Sequence, residues 1–176
     1  MVEVWTTTDS VEAAEKISAA IVSGQLVAEK SLIRRVDIRA FYWWDGAVQN
    51  DTEIRLEFET EQSFSEALTA VGKDHNYDVP MVVAEVSDDV SGCWKGVIAS
   101  ATAELAAELA GTRLVACAQL ADSCSPGSQG SLVVKTVTAA KAHIEARVGG
   151  ASNVSWRPIT GNQAYLDWVK EEAKVA

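Results

Sequence analysis

The sequence predicts an α+β protein built from two tandem units, each running β-α-β-β-α-β with an antiparallel sheet. Three observations carry this. Strand-like and helix-like apolar patterns follow one another in the same order in both halves of the 176-residue chain. The segment Leu26-Val27-Ala28, which closes one helical stretch, has a counterpart at Leu114-Val115-Ala116, which closes another. Charge also divides at mid-chain: residues 1–89 hold 18 acidic and 7 basic side chains, whereas residues 90–176 hold 7 and 8. A sign asymmetry of this kind supports two separate units, placed at 1–90 and 91–176.

In the first unit, residues 2–7 are rich in Val, Trp and Thr and predict a strand. Thr8, Asp9 and Ser10 offer helix caps, and Glu12 follows Asp9 at capping-box spacing. Ala13, Ile17, Ala20 and Ile21 then form one helical face, ended by Gly24. Residues 26–44 read as one long strand, bent near Arg34-Arg35, and Asp45-Gly46 marks a hairpin turn. Residues 54–59 alternate apolar and polar, the pattern of a half-buried strand. Phe64, Ala67, Leu68 and Val71 predict a second helix, and residues 79–86 a buried strand.

The second unit repeats the order. Strands are predicted at 93–98, 113–120, 132–137 and 154–159, with helices at 101–110 and 139–148 and a closing helix at 162–174. Residues 123–130, rich in Ser, Pro and Gly, predict a loop. Two crossovers joined by a hairpin make the split βαβ, or ferredoxin-like, unit. One sheet face is covered by helices, and the other has to be buried, here expected by packing of one unit's sheet on the other's or on another chain. The offset between the copies falls from 88 at Leu26/Leu114 to 76 at Thr60/Thr136, so the second copy is about 12 residues shorter at its central hairpin. The arm ending in Trp43-Trp44-Asp45-Gly46 has no equivalent there.

A net charge of −10 disfavours nucleic acid and anionic membranes as partners. No apolar run reaches the roughly 20 residues of a membrane span. The start, Met1-Val2-Glu3-Val4-Trp5, lacks the basic and apolar regions of a signal peptide. Three cysteines, Cys93, Cys117 and Cys124, fit reduced thiols in the cytoplasm better than a disulfide framework.

Several motifs resemble the CutA family of divalent-cation tolerance proteins. Tyr42-Trp43-Trp44-Asp45-Gly46 is similar to that family's Y-x-W-x-G, and Asn50-Asp51-Thr52-Glu53 follows as it does there. His75-Asn76-Tyr77-Asp78-Val79-Pro80 resembles H-P-Y-[DE]-V-P, with Asn for the first Pro, and Thr6-Thr7-Thr8-Asp9-Ser10 resembles the T-T-x-x-[SD] turn. In the second half, Lys135-Thr136 closes a family-like strand, and residues 161–168 resemble G-N-P-x-Y-L-x-W. The family's Ala-Cys-x-Asn is Ala28-Glu29-Lys30-Ser31 in copy one and Ala116-Cys117-Ala118-Gln119 in copy two. The resemblance implies a non-enzymatic homo-oligomer, a trimer by family habit, with copper or zinc as possible ions.

Cys117 matches the family's strand cysteine, and thiolate suits Cu(I) or Zn; an unpaired Cys on a strand is first read, however, as a small buried hydrophobe. His75 is read as a turn or cap residue or as a metal ligand. No Cys-x-x-Cys or His-x-x-x-His spacing is present. Tyr42, Trp43 and Trp44 cannot bury their rings within an isolated arm, so they are expected, with Tyr77 and Trp168, at oligomer or cleft contacts. Catalytic residues are not predicted: the chain shows no Ser-His-Asp order, no phosphate-binding glycine loop and only two histidines, His75 and His143. A small-ligand-sensing or signalling scaffold is the alternative function.

Overall fold

A computed structural model describes residues 1–121 and 130–175. Its elements, in chain order, are β1 (Val2–Thr8), α1 (Val11–Ser23), β2 (Arg34–Trp44), β3 (Ala47–Thr60), α2 (Phe64–Lys73), β4 (Val82–Glu85), β5 (Cys93–Ala101), α3 (Ala103–Thr112), β6 (Cys117–Ala121), β7 (Gly130–Val137), α4 (Lys141–Arg147), β8 (Ser155–Gly161) and α5 (Gln163–Glu172). The expected order of strands and helices is therefore present in both halves, within an α+β fold. The loop predicted at 123–130, with Cys124, lies outside the described residues except for Gly130.

The eight strands form one closed barrel in the order β1-β3-β2-β6-β7-β5-β8-β4. Within it, β4-β1-β3-β2 is followed around the wall by β6-β7-β5-β8, the corresponding strands in reverse order, so that equivalent edge strands meet. Two antiparallel seams join the halves. Arg39 to Phe41 of β2 pair with Leu120 to Ala118 of β6, and Val83 to Glu85 of β4 pair with Gly161 to Ile159 of β8. The expectation of one sheet stacked on the other is thus corrected: the sheets meet along their edges. Edge pairing satisfies backbone groups that two stacked sheets would leave open, and closure leaves the barrel wall no free edge.

Strand alternation divides the side chains into an outer and an inner set. On the outside of the first half, Val4, Leu56 and Phe58 pack against Ile17 and Ile21 of α1 and Ala67 and Val71 of α2. On the outside of the second half, Leu120, Leu132 and Val134 pack against Leu109 of α3 and Ile144 of α4. A third cluster fills the inside, where Trp5, Val83, Val133 and Ile159 meet Tyr165, Leu166 and Val169 of α5. The last helix therefore covers part of the lumen, while the other four cover the wall.

Local signals set the boundaries. Ser10, not Asp9, caps α1 by accepting from the Ala13 amide. Ser63 and Glu66 form a reciprocal capping box on α2. Asp45 and Gly46 both take positive φ (52° and 77°), as a tight hairpin turn requires, and this aims the long β2–β3 arm. The single strand expected over 26–44 is shorter. Gln25 turns the chain at φ 60°, Leu26 and Val27 are buried in the helix-side core, and residues 30–32 form a 3₁₀ turn before β2 begins. The second half behaves alike: Arg113 turns at φ 63°, Leu114 and Val115 join the helix-side core, and β6 starts only at Cys117. In both places apolar residues that favour strand are used to pack a helix. The difference at the hairpin is as expected, with strands of 11 and 14 residues in the first half and 5 and 8 in the second.

Candidate functional site

A cleft of about 660 Å³ opens at the barrel end from which the arm projects, between the arm and α5. Thr7 and Asp9 line it at the end of β1, Ala40 and Tyr42 on β2, and Asp51, Thr52 and Glu53 on β3. Tyr77, Val79 and Met81 line it from the segment before β4. Cys117 and Gln119 of β6 and Tyr165 and Trp168 of α5 close the far side. Both halves of the chain thus contribute walls, with the β2–β6 seam running beneath.

Three carboxylates face this space, each oriented by a neutral donor. The Tyr77 hydroxyl donates to Glu53 Oε2 at 2.7 Å, the Tyr42 hydroxyl donates to Asp51, and the Asn76 amide donates to Asp9 Oδ1 at 2.7 Å. The Thr8 hydroxyl donates in turn to Asn76 Oδ1 at 2.6 Å. Among the described residues, none of these carboxylates is in an ion pair. Burial pushes the Glu53 carboxyl up, opposed by the Tyr77 hydrogen bond and reinforced by Asp51 and Asp9. Burial, together with the bond to Asp51, pushes the Tyr42 phenol up to about 12. Tyr77 is raised for the corresponding reasons, burial and Glu53.

The opposite wall is drier. Cys117 is buried, its Sγ is 3.6 Å from the Tyr165 hydroxyl, and burial pushes its thiol up. Trp168 stacks at a tilt on Tyr165, with centroids 5.5 Å apart. Gln119 is only 3% exposed; its Nε2 reaches Met81 Sδ at 3.9 Å, while its Oε1 has no partner.

Deeper in the lumen lies a second polar group. Trp5 carries Lys95 Nζ 3.6 Å from its ring centroid, Arg55 Cζ at 4.4 Å and Lys135 Nζ at 5.8 Å. Arg55 pairs with Glu57 at 2.9 Å and Lys95 pairs with Glu85. Lys135 differs: it is fully buried, and its Nζ has Met81 Sδ at 3.5 Å as its hydrogen-bond partner. Burial pulls its ammonium down to about 8.

Of the residues singled out in the sequence, Tyr42, Tyr77, Trp168 and Cys117 come together in the cleft. His75 stands behind it. The Tyr77 amide donates to His75 Nδ1 at 3.1 Å, and Nε2 lies 3.1 Å from the Thr6 hydroxyl, so both ring nitrogens are engaged. Burial pulls the imidazole's pKa down, favouring the neutral ring. Trp43 is half-buried with Arg113 Cζ 5.8 Å from its ring, and Trp44 is 66% exposed at the arm tip. Asp9, Asp51, Glu53, Gln119 and Tyr165 were not predicted as site residues. Strand alternation held the clue, because Asp51 and Glu53 share a face, as do Cys117 and Gln119.

A family model described as CutA1 divalent ion tolerance protein matches residues 2–95. The chain belongs to the CutA1 family. That match contains the arm, both tyrosine–carboxylate pairs and the turn carrying His75, while Cys117, Gln119 and α5 lie beyond it. Protein CutA 1, chloroplastic, from Oryza sativa subsp. japonica is 37% identical over 82 residues, 46% of this chain and 45% of that protein. Against that CutA relative, the chain spans less than half of the relative's length. The divalent-cation tolerance protein CutA of Pyrococcus horikoshii is 35% identical over 92 residues, covering 52% of this chain and 87% of that one. Among solved structures, CutA1 from Pyrococcus horikoshii is 31% identical with a TM-score of 0.44, covering 51% of this chain and 86% of its own. CutA1 from Oryza sativa is 38% identical with a TM-score of 0.42, covering 47% and 75%.

Proposed function

We propose that this CutA-family chain is a non-enzymatic binding protein that holds a small ligand in the cleft between the arm and α5. The observation that carries the reading is the cleft itself, about 660 Å³, walled by aromatic rings and three pre-oriented carboxylates. That volume is typical of small-molecule sites. Burial keeps the Cys117 thiol and the Tyr165 hydroxyl protonated, which makes them poor nucleophiles and favours binding over chemistry.

A second reading, direct binding of copper or zinc as the basis of divalent-cation tolerance, is favoured by the family description and by the carboxylates at the mouth. Among the described residues, however, no three His, Cys, Asp or Glu side chains are grouped to hold a metal ion. A metal would need further ligands from a small molecule or a second chain. A thermal-shift panel of copper, zinc, small amines, nucleotides and dicarboxylates tests both readings, since a ligand that binds only the folded state raises its apparent stability. The first expects a rise with at least one organic compound, reduced in Glu53→Gln. Stabilisation by copper or zinc alone would overturn it in favour of the second.

The two-unit organisation at 1–90 and 91–176, each ferredoxin-like and the second a diverged copy, is supported by the recurring strand order. For assembly we propose a homotrimer, drawing on the exposed arm tip with Trp44. Light scattering at a mass near three times 18.8 kDa is the expected result, and a stable monomer would contradict it. A cytoplasmic location is proposed from the free thiols Cys93 and Cys117. Among the described residues no helix is long and apolar enough to cross a membrane.

A further inference from the structure

We propose that the ligand of this cleft is an organic cation, an amine carried on an apolar body. The inference rests on the reading of the cleft as a small-ligand site and names the ligand's chemical class.

The carboxylates of the cleft and one orphaned amide oxygen ask for a donor or a positive charge. Asp9, Asp51 and Glu53 are oriented by neutral hydroxyl and amide groups, and none has a cationic partner among the described residues. A tyrosine hydroxyl occupies one oxygen of Glu53, and another occupies one oxygen of Asp51, so each carboxylate retains an acceptor for a ligand. Carboxylates gathered at a partly buried site repel one another unless a cation joins them. Independently of this cluster, Gln119 lines the cleft on another strand, is 3% exposed, and has an Oε1 with no hydrogen-bond partner. An orphaned buried acceptor costs about 1–3 kcal/mol, and an N–H from a ligand would relieve it.

The remaining surface selects the body of the ligand. Trp168, Tyr165 and Met81 give an apolar wall with aromatic faces, which attract ammonium groups as well as alkyl chains. A bare metal ion fits this description poorly, because it needs several ligands converging within about 2–2.6 Å and leaves such a cavity almost empty. The lumenal cations do not enter the cleft, although the charge of Lys135 acts on Glu53 from the lumen. Lys95 and Arg55 are paired with Glu85 and Glu57, and Lys135 reaches Met81 Sδ from the lumen without lining the cleft.

The test is isothermal titration of the full chain with agmatine, cadaverine and spermidine. 1,5-Pentanediol and glutarate serve as neutral and anionic counterparts, and zinc and copper as bare ions. At least one amine is expected to saturate at one site, ten-fold or more tighter than the diol and glutarate. Gln119→Leu and Glu53→Gln should each weaken it about ten-fold, while Glu12→Gln on the exposed face of α1 leaves it unchanged. If Gln119→Leu does not fold, Asp9→Asn at the exposed rim replaces it with the same expected direction. Amine binding that these variants do not weaken would mark surface charge attraction and overturn the proposal. Equal or tighter binding of the diol or glutarate would overturn the amine class but keep the cleft as a small-ligand site. Binding of none of the organic probes, with or without metal binding, would overturn both.

Discussion

Single residues decide what the lumen tolerates. Lys135 lies on a strand that reads as apolar, and Cys117 is its cross-strand neighbour. Burial removes the Lys135 ammonium from water, with no carboxylate in an ion pair with it among the described residues, and this is why its pKa falls from 10.5 to about 8. Between those two values the unfolded chain binds more protons than the folded one, so this residue makes stability rise as pH increases from 8 to 10.5. Below pH 8 the full penalty, about 3 kcal/mol, is present. Lys135→Met is therefore expected to stabilise the protein at pH 7 by about 1–3 kcal/mol, with an advantage that shrinks toward pH 10.5. Urea denaturation of both proteins across this range checks it. A variant less stable at pH 7, or a difference that ignores pH, would contradict it. The buried Cys117 thiol titrates with the opposite sign and interacts with Lys135: burial raises it and the lysine's charge lowers it, so its contribution is lost as pH climbs above 9. Asp9 shows how a residue's role can hide. Its place before a helix gives it a cap signature, yet Ser10 caps α1 and Asp9 faces the cleft.

Among the elements, the strands were the most legible and their ends the least. Alternation located β3, because a sheet with one face against helices imposes a period of two, and the Asp45-Gly46 dipeptide located the turn before it. Residues 26–33 and 113–116 misled for a definite reason. Leu26, Val27, Leu114 and Val115 are apolar and strand-favouring, but each half spends them sealing the gap between helix and sheet. The β5–β8 pair shows how tightly neighbouring strands approach. Gly96 lies opposite Trp156, and a Cβ there would stand 2.6 Å from the indole ring. That ring cannot swing freely, because its Nε1 donates to Glu145 at 2.9 Å. Gly96→Ala is expected to destabilise by about 1–3 kcal/mol in urea denaturation, the usual cost of overpacking. Unchanged stability would show that the ring has room to move.

At the scale of the whole molecule, the two halves of the chain together close one barrel. Neither half buries the inner face of its own sheet, and the two seams give both halves one lumen. Element order, the shortened second hairpin and the family were legible from sequence. Edge pairing was not, because strand partners more than 70 residues apart leave no local trace. The cleft was half legible. Aromatic motifs pointed to Tyr42, Tyr77 and Trp168, but Glu53 and Gln119 become a site only when the β2–β6 seam brings their strands together. On the proposed function, this seam builds one binding cleft from both halves. Amide chemical-shift mapping by NMR during titration with agmatine tests it most directly. Saturable shifts at Thr52, Glu53 and Tyr77 in the first half, together with Gln119 and Trp168 in the second, are predicted, with α1 and α2 unaffected. Shifts confined to one half, or spread over the acidic surface of α1, would contradict it.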